Sequence, residues 1–517
     1  MRKTFLSASL AAASLVAGLT ACNNDKLTAV NANPNAPEAV QSPSLFTNAT
    51  IGALGTIRGS TFEHGLSGLW SQHYAEIQYA EADLNQPRNA TTEGLWTSFF
   101  SGPLQDYKQI TVQSASQPEI LGPTLVMRAF VLETMTDLWG DIPFSEAGQG
   151  SGNFTPKYDT QAAVYDTVFA SLSSAATMMS GVPASRIEIE PRFASADPVY
   201  GQGAAGKTGA SEAAAWVKLA NTLHARAAMR ISNKDAAKGK AELLKALAGP
   251  VFTSNADNAS VKWPPGGGVV ANPLCQNWAD SPDCGGTRDD QRISERFIDT
   301  LKVTGDPRLP LYAEPTGASQ KDSGLTACDI TYRGFPNGHS SADVVNPCSA
   351  KKDNFSFDDY SRPTLSIRQS DSPSYIMTYS ELLFIKAEAA ERGMIGGSAA
   401  QFYADAITAS MQQWGVDPAD IATYLASVTY KGGAAGLQQI AYEKWVSLFN
   451  LETEAYAEYR RLNYPVLTPG PDAVTNSIPT RLPYPDIENS LNASNLAAAK
   501  GAQGNTDITG KVWWDVP

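Results

Sequence analysis

Apolar positions recur at helical spacing along most of the chain. Leu66, Leu69, Trp70, His73, Tyr74 and Ile77 fall at i, i+3, i+4, i+7, i+8 and i+11, which predicts one helix with a single buried stripe. Leu125, Val126, Ala129, Leu132 and Thr136 predict a second helix, stopped by Gly140 and Pro143, and Val164, Tyr165, Val168 and Leu172 a third. Trp216-x-x-Leu219-Ala220-x-x-Leu223 has the large, large, small, large order of the first helix of a tetratricopeptide unit, and Ala237 and Ala241 supply the small residues of its second helix. Leu383, Ala387 and Ala390, followed by Ala399, Tyr403 and Ala406, repeat that logic: small residues let two helices approach and a ring fills the gap beside them. Helices are also expected over 379–392, 399–413 and 436–462. The fold class that emerges is mainly α, a tetratricopeptide-like helical-repeat scaffold with a large loop-rich face.

That face is expected from about 249 to 373, where periodicity stops. Trp263-Pro264-Pro265-Gly266-Gly267-Gly268, Asp306-Pro307-Arg308 and Gly334-Phe335-Pro336-Asn337-Gly338 are turn chemistry, interrupted by one helix over 293–302. A loop-rich stretch of that length inside a helical protein is a place for function. Helical spacing assigns Trp70, Trp216 and Trp445 to the core. Tyr79, Trp96, Trp263, Trp278, Tyr332 and Phe335 lie in or beside expected loops and are the ligand-binding candidates, in a setting shared by Phe355, Phe357 and Tyr360. A ring held out by a loop offers a flat apolar face to a sugar ring or a peptide side chain, with amides and carboxylates nearby to orient it.

The first residues change the picture. Arg2 and Lys3 precede an apolar, small-residue stretch from Phe5 to Gly18, and Leu19-Thr20-Ala21-Cys22 ends it in the pattern of a bacterial lipobox. Residues 1–21 read as a lipoprotein signal peptide and Cys22 as the lipidation site. Several acyl chains on one cysteine hold a protein to a membrane far better than one, at ~0.8 kcal/mol per buried CH₂. Residues 22–42, rich in Asn and Pro, read as the lipid-anchored tether, and 43–517 as a single domain. No later segment reaches the ~18 consecutive apolar residues of a spanning helix. Cys275, Cys284, Cys328 and Cys348 remain, an even number in an oxidising compartment. Three pairings are possible, and Cys275–Cys284 with Cys328–Cys348 is the most local. The spacing contains no Cys-x₂₋₄-Cys knuckle, so no metal is expected.

Charge and motif narrow the function. The 517 residues carry a formal charge of −13, which excludes nucleic acid as a partner, because phosphate binding needs clustered Lys and Arg. Gly201-Gln202-Gly203-Ala204-Ala205-Gly206-Lys207-Thr208 matches a Walker A loop letter for letter. The stretch before it is polar and contains Pro198, and Gly209 delays a helix to about Ser211, so it reads as a flexible glycine loop and no cofactor is expected. Gly338-His339-Ser340-Ser341-Ala342 lacks the second glycine of a nucleophile elbow and the strand before it. His73 and His224 fall on helical stripes and read as hydrogen-bonded core residues. Glu81 with Asp83, Asp289 with Asp290, and Asp358 with Asp359 are the loop carboxylates a surface-anchored hydrolase would use, but spacing alone nominates no pair.

Taken together, several segments carry a resemblance. The lipobox, Asp137-Leu138-Trp139-Gly140-Asp141-Ile142-Pro143-Phe144, Pro156-Lys157-Tyr158-Asp159, and Trp216-Val217-Lys218-Leu219-Ala220-Asn221 with Arg226 come first. Asp306-Pro307-Arg308-Leu309, Tyr332-Arg333-Gly334-Phe335, Glu443-Lys444-Trp445, Glu458-Tyr459-Arg460-Arg461 and Pro479-Thr480-Arg481-Leu482-Pro483-Tyr484-Pro485 follow in order. Jointly they resemble the SusD/RagB family of outer-membrane nutrient-binding lipoproteins. The resemblance implies four tetratricopeptide-like helix pairs with a loop-rich face opposite. It also implies a surface-exposed lipoprotein of the outer membrane that catches an oligosaccharide or peptide, without catalysis, for a SusC-like TonB-dependent transporter. The shared motifs read as scaffold and identify no ligand contact. The two disulfides are not a general feature of that family.

Overall fold

Long helical periodicity becomes α-helix. A computed structural model describes residues 40–516 apart from 183–190, 202–204, 208, 267–269, 279–280, 282, 318–330 and 340–356. The signal peptide, Cys22, the tether up to residue 39, Cys328, Cys348, Phe355 and half of the Walker-like glycine loop lie outside the described residues. Ser42–Pro517 forms one compact unit.

Its first half consists of α1 (Ser42–Ile57), α2 (Asn89–Ser101), α3 (Pro103–Gln113), α4 (Pro118–Trp139) and α5 (Gln161–Ser180). Proline opens α3 and α4, where a missing N–H costs nothing, and the Thr160 hydroxyl caps α5 by accepting from the Ala163 N–H. Next come α6 (Gly209–Ile231) and α7 (Ala236–Ala248), joined by a short turn, then α8 (Glu295–Thr304) within the loop-rich stretch. The last group is α9 (Tyr379–Glu391), α10 (Ala399–Gln413), α11 (Pro418–Ser427), α12 (Gly433–Ser447), α13 (Glu452–Leu462) and α14 (Ala493–Gln503). The closest-packed neighbours are α4 with α5, α5 with α6, α6 with α7, and α9 with α10. The last two are the helix pairs the small-residue spacing predicts, and Trp216, Leu219, Ala220 and Leu223 are all buried.

The motif residues form the interior. Arg226 on α6 donates to both Glu381 carboxylate oxygens, at 2.7 and 2.6 Å. Arg230, one turn on, reaches Glu454 and Glu458 of α13 and Asp137 of α4. Arg461 bridges Glu458 and Glu388, and Lys444 adds a third cation to Glu458 at 2.7 Å. Against the cost of burial, Arg461, Lys444 and Arg230 hold the Glu458 carboxyl well below the usual range. Such a network fixes which helices meet, because any other packing would strand a buried charge. The Trp139-Gly140-Asp141 turn is then clasped by the C-terminal segment. The Trp139 indole donates to the Pro483 carbonyl at 3.1 Å, the Tyr484 hydroxyl to the Asp141 carbonyl at 2.7 Å, and the Trp514 indole to Asp137 at 2.6 Å. Gly140 sits at φ 81°, and a Cβ there would strike the Gln503 side chain.

Three expectations need correction. The stripe from Leu66 to Ile77 is not one helix. A π-helical turn (Glu63–Ser67) and one short turn (Gly68–Trp70) end at Gln72, whose φ is +55°, and the chain leaves as strand β1 (Tyr74–Glu76). The side chains are buried as the stripe requires, but burial is met on all sides and leaves the period ambiguous. The expected helix over 436–462 is two, α12 and α13, parted at Asn450 with φ +64°. Ile293 belongs to a strand, and α8 begins at Glu295.

Strands also thread the loop-rich stretch. β1 pairs antiparallel with β3 (Gln291–Ile293), Tyr74 opposite Ile293 and Glu76 opposite Gln291. β2 (Ala259–Val261) pairs antiparallel with β4 (Ser374–Met377). These two ribbons fasten the face to the helices, so much of it is a packed layer rather than free loop.

Candidate functional site

Beyond Glu76 at the end of β1, the chain bends through Tyr79 at φ 58° and Asn85 at φ 63°, conformations that side-chain-bearing residues adopt at a cost. The bend shapes a cleft of about 430 Å³. Glu76, Tyr79, Glu81 and Arg88 line it from one side, and Arg288 and Asp290, just ahead of β3, from the other. A second trough of about 700 Å³ adjoins it between α1 and α2, with Trp263 at its edge; Ser60, Thr61, Arg88 and Thr91 border both.

Tyr79 is 56% exposed, and the Arg288 guanidinium lies over its ring at 4.9 Å. Arg288 also donates to Asp290 at 2.6 Å, and the Gln78 amide donates to the same carboxylate. Arg88 pairs with Glu81 at 2.8 Å and lowers its pKa through that hydrogen bond. The cations of the cleft are therefore each matched to an acid. Glu76 is not: it is 8% exposed, one carboxyl oxygen has no hydrogen-bond partner, and burial, with Asp83 close by, pushes its pKa well up. Burial likewise raises Asp83 to about 7, although the Asn337 amide donates to it at 3.0 Å and the Glu76 N–H at 3.2 Å. The disulfide Cys275–Cys284, with Cα atoms 5.8 Å apart, closes the loop that leads into Arg288.

The six aromatic candidates do not converge. Tyr79 is in the cleft. Trp263 lines the trough but is 5% exposed, its indole donating to Ser374 Oγ at 2.9 Å. Trp96 lies within α2, buried edge-on to Trp139 and Tyr484. Trp278 and Phe335 are fully buried, the first between His64 and the Arg368 guanidinium, the second against Tyr360. Tyr332 is half-buried against the core. Trp96, Trp278 and Phe335 thus present no open ring face: Trp96 is on the inner side of α2, and the layer that carries Trp278 and Phe335 packs onto the helices. His73 and His224 are core residues, reaching Glu452 at 2.6 Å and Glu242 at 2.7 Å. The reading of single residues passed over Glu76, Arg88 and Arg288. Glu76 sits between the apolar Ala75 and Ile77, and that setting was the available signal.

A flat ring flanked by planar guanidinium and carboxylate groups suits a polyhydroxylated ligand, whose ring faces stack and whose rim exchanges hydrogen bonds. Among the described residues, no group of three or more His, Cys, Asp or Glu is placed to hold a metal, and no helix is long and apolar enough to cross a membrane.

Comparison with known proteins adds the following. A SusD-like family model, described as "Starch-binding associating with outer membrane", matches residues 34–485. A solved chitin-binding protein is 27% identical, with 92% of this chain and 100% of that one covered at a TM-score of 0.76. A chitin-binding SusD homologue from Flavobacterium johnsoniae is 24% identical over 91% of this chain and 98% of its own, at a TM-score of 0.74. A SusD homologue from Bacteroides uniformis is 25% identical over 91% and 99%, at a TM-score of 0.70. No protein of curated function matches. The mainly α architecture is shared across these structures, the family model spans most of the sequence, and the chain belongs to the SusD-like family.

Proposed function

We propose that the domain over 43–517 binds an oligosaccharide in the cleft and the adjoining trough. Held to the outer membrane through a lipid on Cys22 and the tether of 22–42, it passes that glycan unchanged to a SusC-like TonB-dependent transporter. The observation that carries the reading is Tyr79, an exposed ring kept in a costly backbone conformation beside matched Arg–carboxylate pairs. The family description and the chitin-binding structure support a glycan over a peptide. Anchoring beside the transporter raises the local concentration of cargo without new contacts.

Calorimetric titration with oligomers of N-acetylglucosamine, malto-oligosaccharides and a peptide panel tests it. One glycan series binds, and Tyr79→Ala weakens it about tenfold, ~1.4 kcal/mol, with little change in melting temperature. Failure of every glycan, or a Tyr79→Ala variant with wild-type affinity, refutes it. Co-purification of a large outer-membrane β-barrel tests the transporter. One feature favours a second reading: a buried carboxyl whose pKa is pushed up by burial and by Asp83, in a cleft beside other carboxylates, is the setting a hydrolase gives its general acid. Multiple-turnover cleavage of the bound oligomer, lost in Glu76→Gln, would establish the enzyme.

A further inference from the structure

Among the described residues that line the cleft, one buried side-chain polar atom has no hydrogen-bond partner. Glu76 lies at the end of β1, held in register opposite Gln291, so its position is set by backbone pairing rather than by a charge partner. The groups around it come from every side. From the segment after β1 come Tyr79, Glu81, Asp83 and Arg88, from the segment before β3 come Arg288 and Asp290, and Asn337 reaches in from its turn. Arg292 of β3 turns away, to Asp289 and the Phe357 ring. Arg88 is matched to Glu81 and Arg288 to Asp290, so among the described residues no unpaired cation faces Glu76. Asp83 receives the donors at hand, the Asn337 amide and the Glu76 N–H, and that makes it the better place for the negative charge. Glu76 lines the cleft, and among the described residues its buried Oε2 has no hydrogen-bond partner. An anion there would lie against the Asp83, Glu81 and Asp290 carboxylates, with Arg88 and Arg288 already engaged by the last two. A carboxylic acid there has an O–H with nothing in the protein to receive it.

We propose that Glu76 recognises the glycan as a neutral carboxylic acid, donating its O–H to a carbonyl or hydroxyl oxygen of an uncharged sugar. This rests on the oligosaccharide reading above and names the donor within it. The raised pKa of Glu76 agrees with the geometry. Because the protonated form binds, affinity is full at low pH and declines as pH rises through the titration of the Glu76–Asp83 pair, the reverse of a site that uses a carboxylate.

Two measurements on the mature protein test this. Infrared difference spectroscopy at pH 7, wild type against Glu76→Gln, shows a carboxylic-acid C=O band that the substitution removes and that the oligosaccharide shifts; absence of the band overturns the proposal. Calorimetry with N-acetylglucosamine oligomers from pH 5.5 to 9 shows at least a tenfold fall in wild-type affinity. Glu76→Gln, which keeps a donor and cannot ionise, stays within about twofold of the low-pH value throughout. Affinity that rises with pH and is lost in Glu76→Gln would show that Glu76 acts as an anion, and overturns the proposal while leaving glycan binding intact. Absence of glycan binding at every pH removes the functional reading and this donor together.

Discussion

His64 sets a limit on acid stability that can be worked out in advance. Its ring is fully buried, stacked on Tyr74 with centroids 4.0 Å apart and edge-on to Trp278. Burial, offset in part by Asn450, pushes the imidazole from 6.5 down to about 3. The fold therefore holds His64 neutral while the unfolded chain takes up a proton. The stability this confers is complete above pH 6.5 and is lost as pH falls toward 3. At pH 4 the unfolded side is favoured by about 2.5 pH units at 1.36 kcal/mol each, or about 3 kcal/mol. His64→Phe keeps the stacking on Tyr74 and cannot be protonated. Urea midpoints of both proteins, followed by tryptophan fluorescence at pH 7 and pH 4, give the comparison. Wild type is expected to lose about 3 kcal/mol more than the variant over that interval. Equal losses in the two proteins would show that His64 does not set the acid limit, and the account of its burial would fail.

Other outcomes follow from the same structure. Trp278→Ala is expected to cost about 3–5 kcal/mol, as a buried tryptophan does, with the remaining folded protein binding glycan as wild type does; unchanged stability with weaker binding would make Trp278 a ligand ring. Cys22→Ser is expected to yield unacylated protein that needs no detergent, and continued detergent dependence would refute the lipidation of Cys22. Trp514→Ala removes a fully buried ring and a donor to Asp137 and is expected to lower stability by at least about 3 kcal/mol in chemical denaturation. A loss under 1 kcal/mol would show that the C-terminal segment is not part of the core.

The helices are legible because their apolar and small residues keep one period over several turns. Trp216, Leu219, Ala220 and Leu223 keep the helical period although α6 is buried nearly all round, and the spacing of small residues marks where the next helix approaches. From Leu66 to Ile77 the same period appears in a segment buried on every side, and there spacing cannot separate a helical turn from a strand. The loop-rich face is legible as a region and not as residues. Trp278 and Phe335 stand among turn residues exactly as Tyr79 does, and what distinguishes them is the packing of the layer onto α8 and the β1–β3 ribbon. That packing depends on partners hundreds of positions away, such as Asn337 donating to the Tyr74 carbonyl at 2.8 Å. Glu76 has a weaker signal still, since a lone acid between apolar neighbours becomes informative once the cations around it, Arg88 and Arg288, are seen to be paired with other acids.

The bond from the Trp514 indole to Asp137 spans 377 positions. Synthesis at roughly 5–20 residues per second separates the two by on the order of 20–75 s. Until Trp514 is made, Asp137 lacks one of its donors and Arg230 the ring beside it. In the exported protein proposed above, that order of synthesis leaves the centre without this ring while the earlier chain is being threaded.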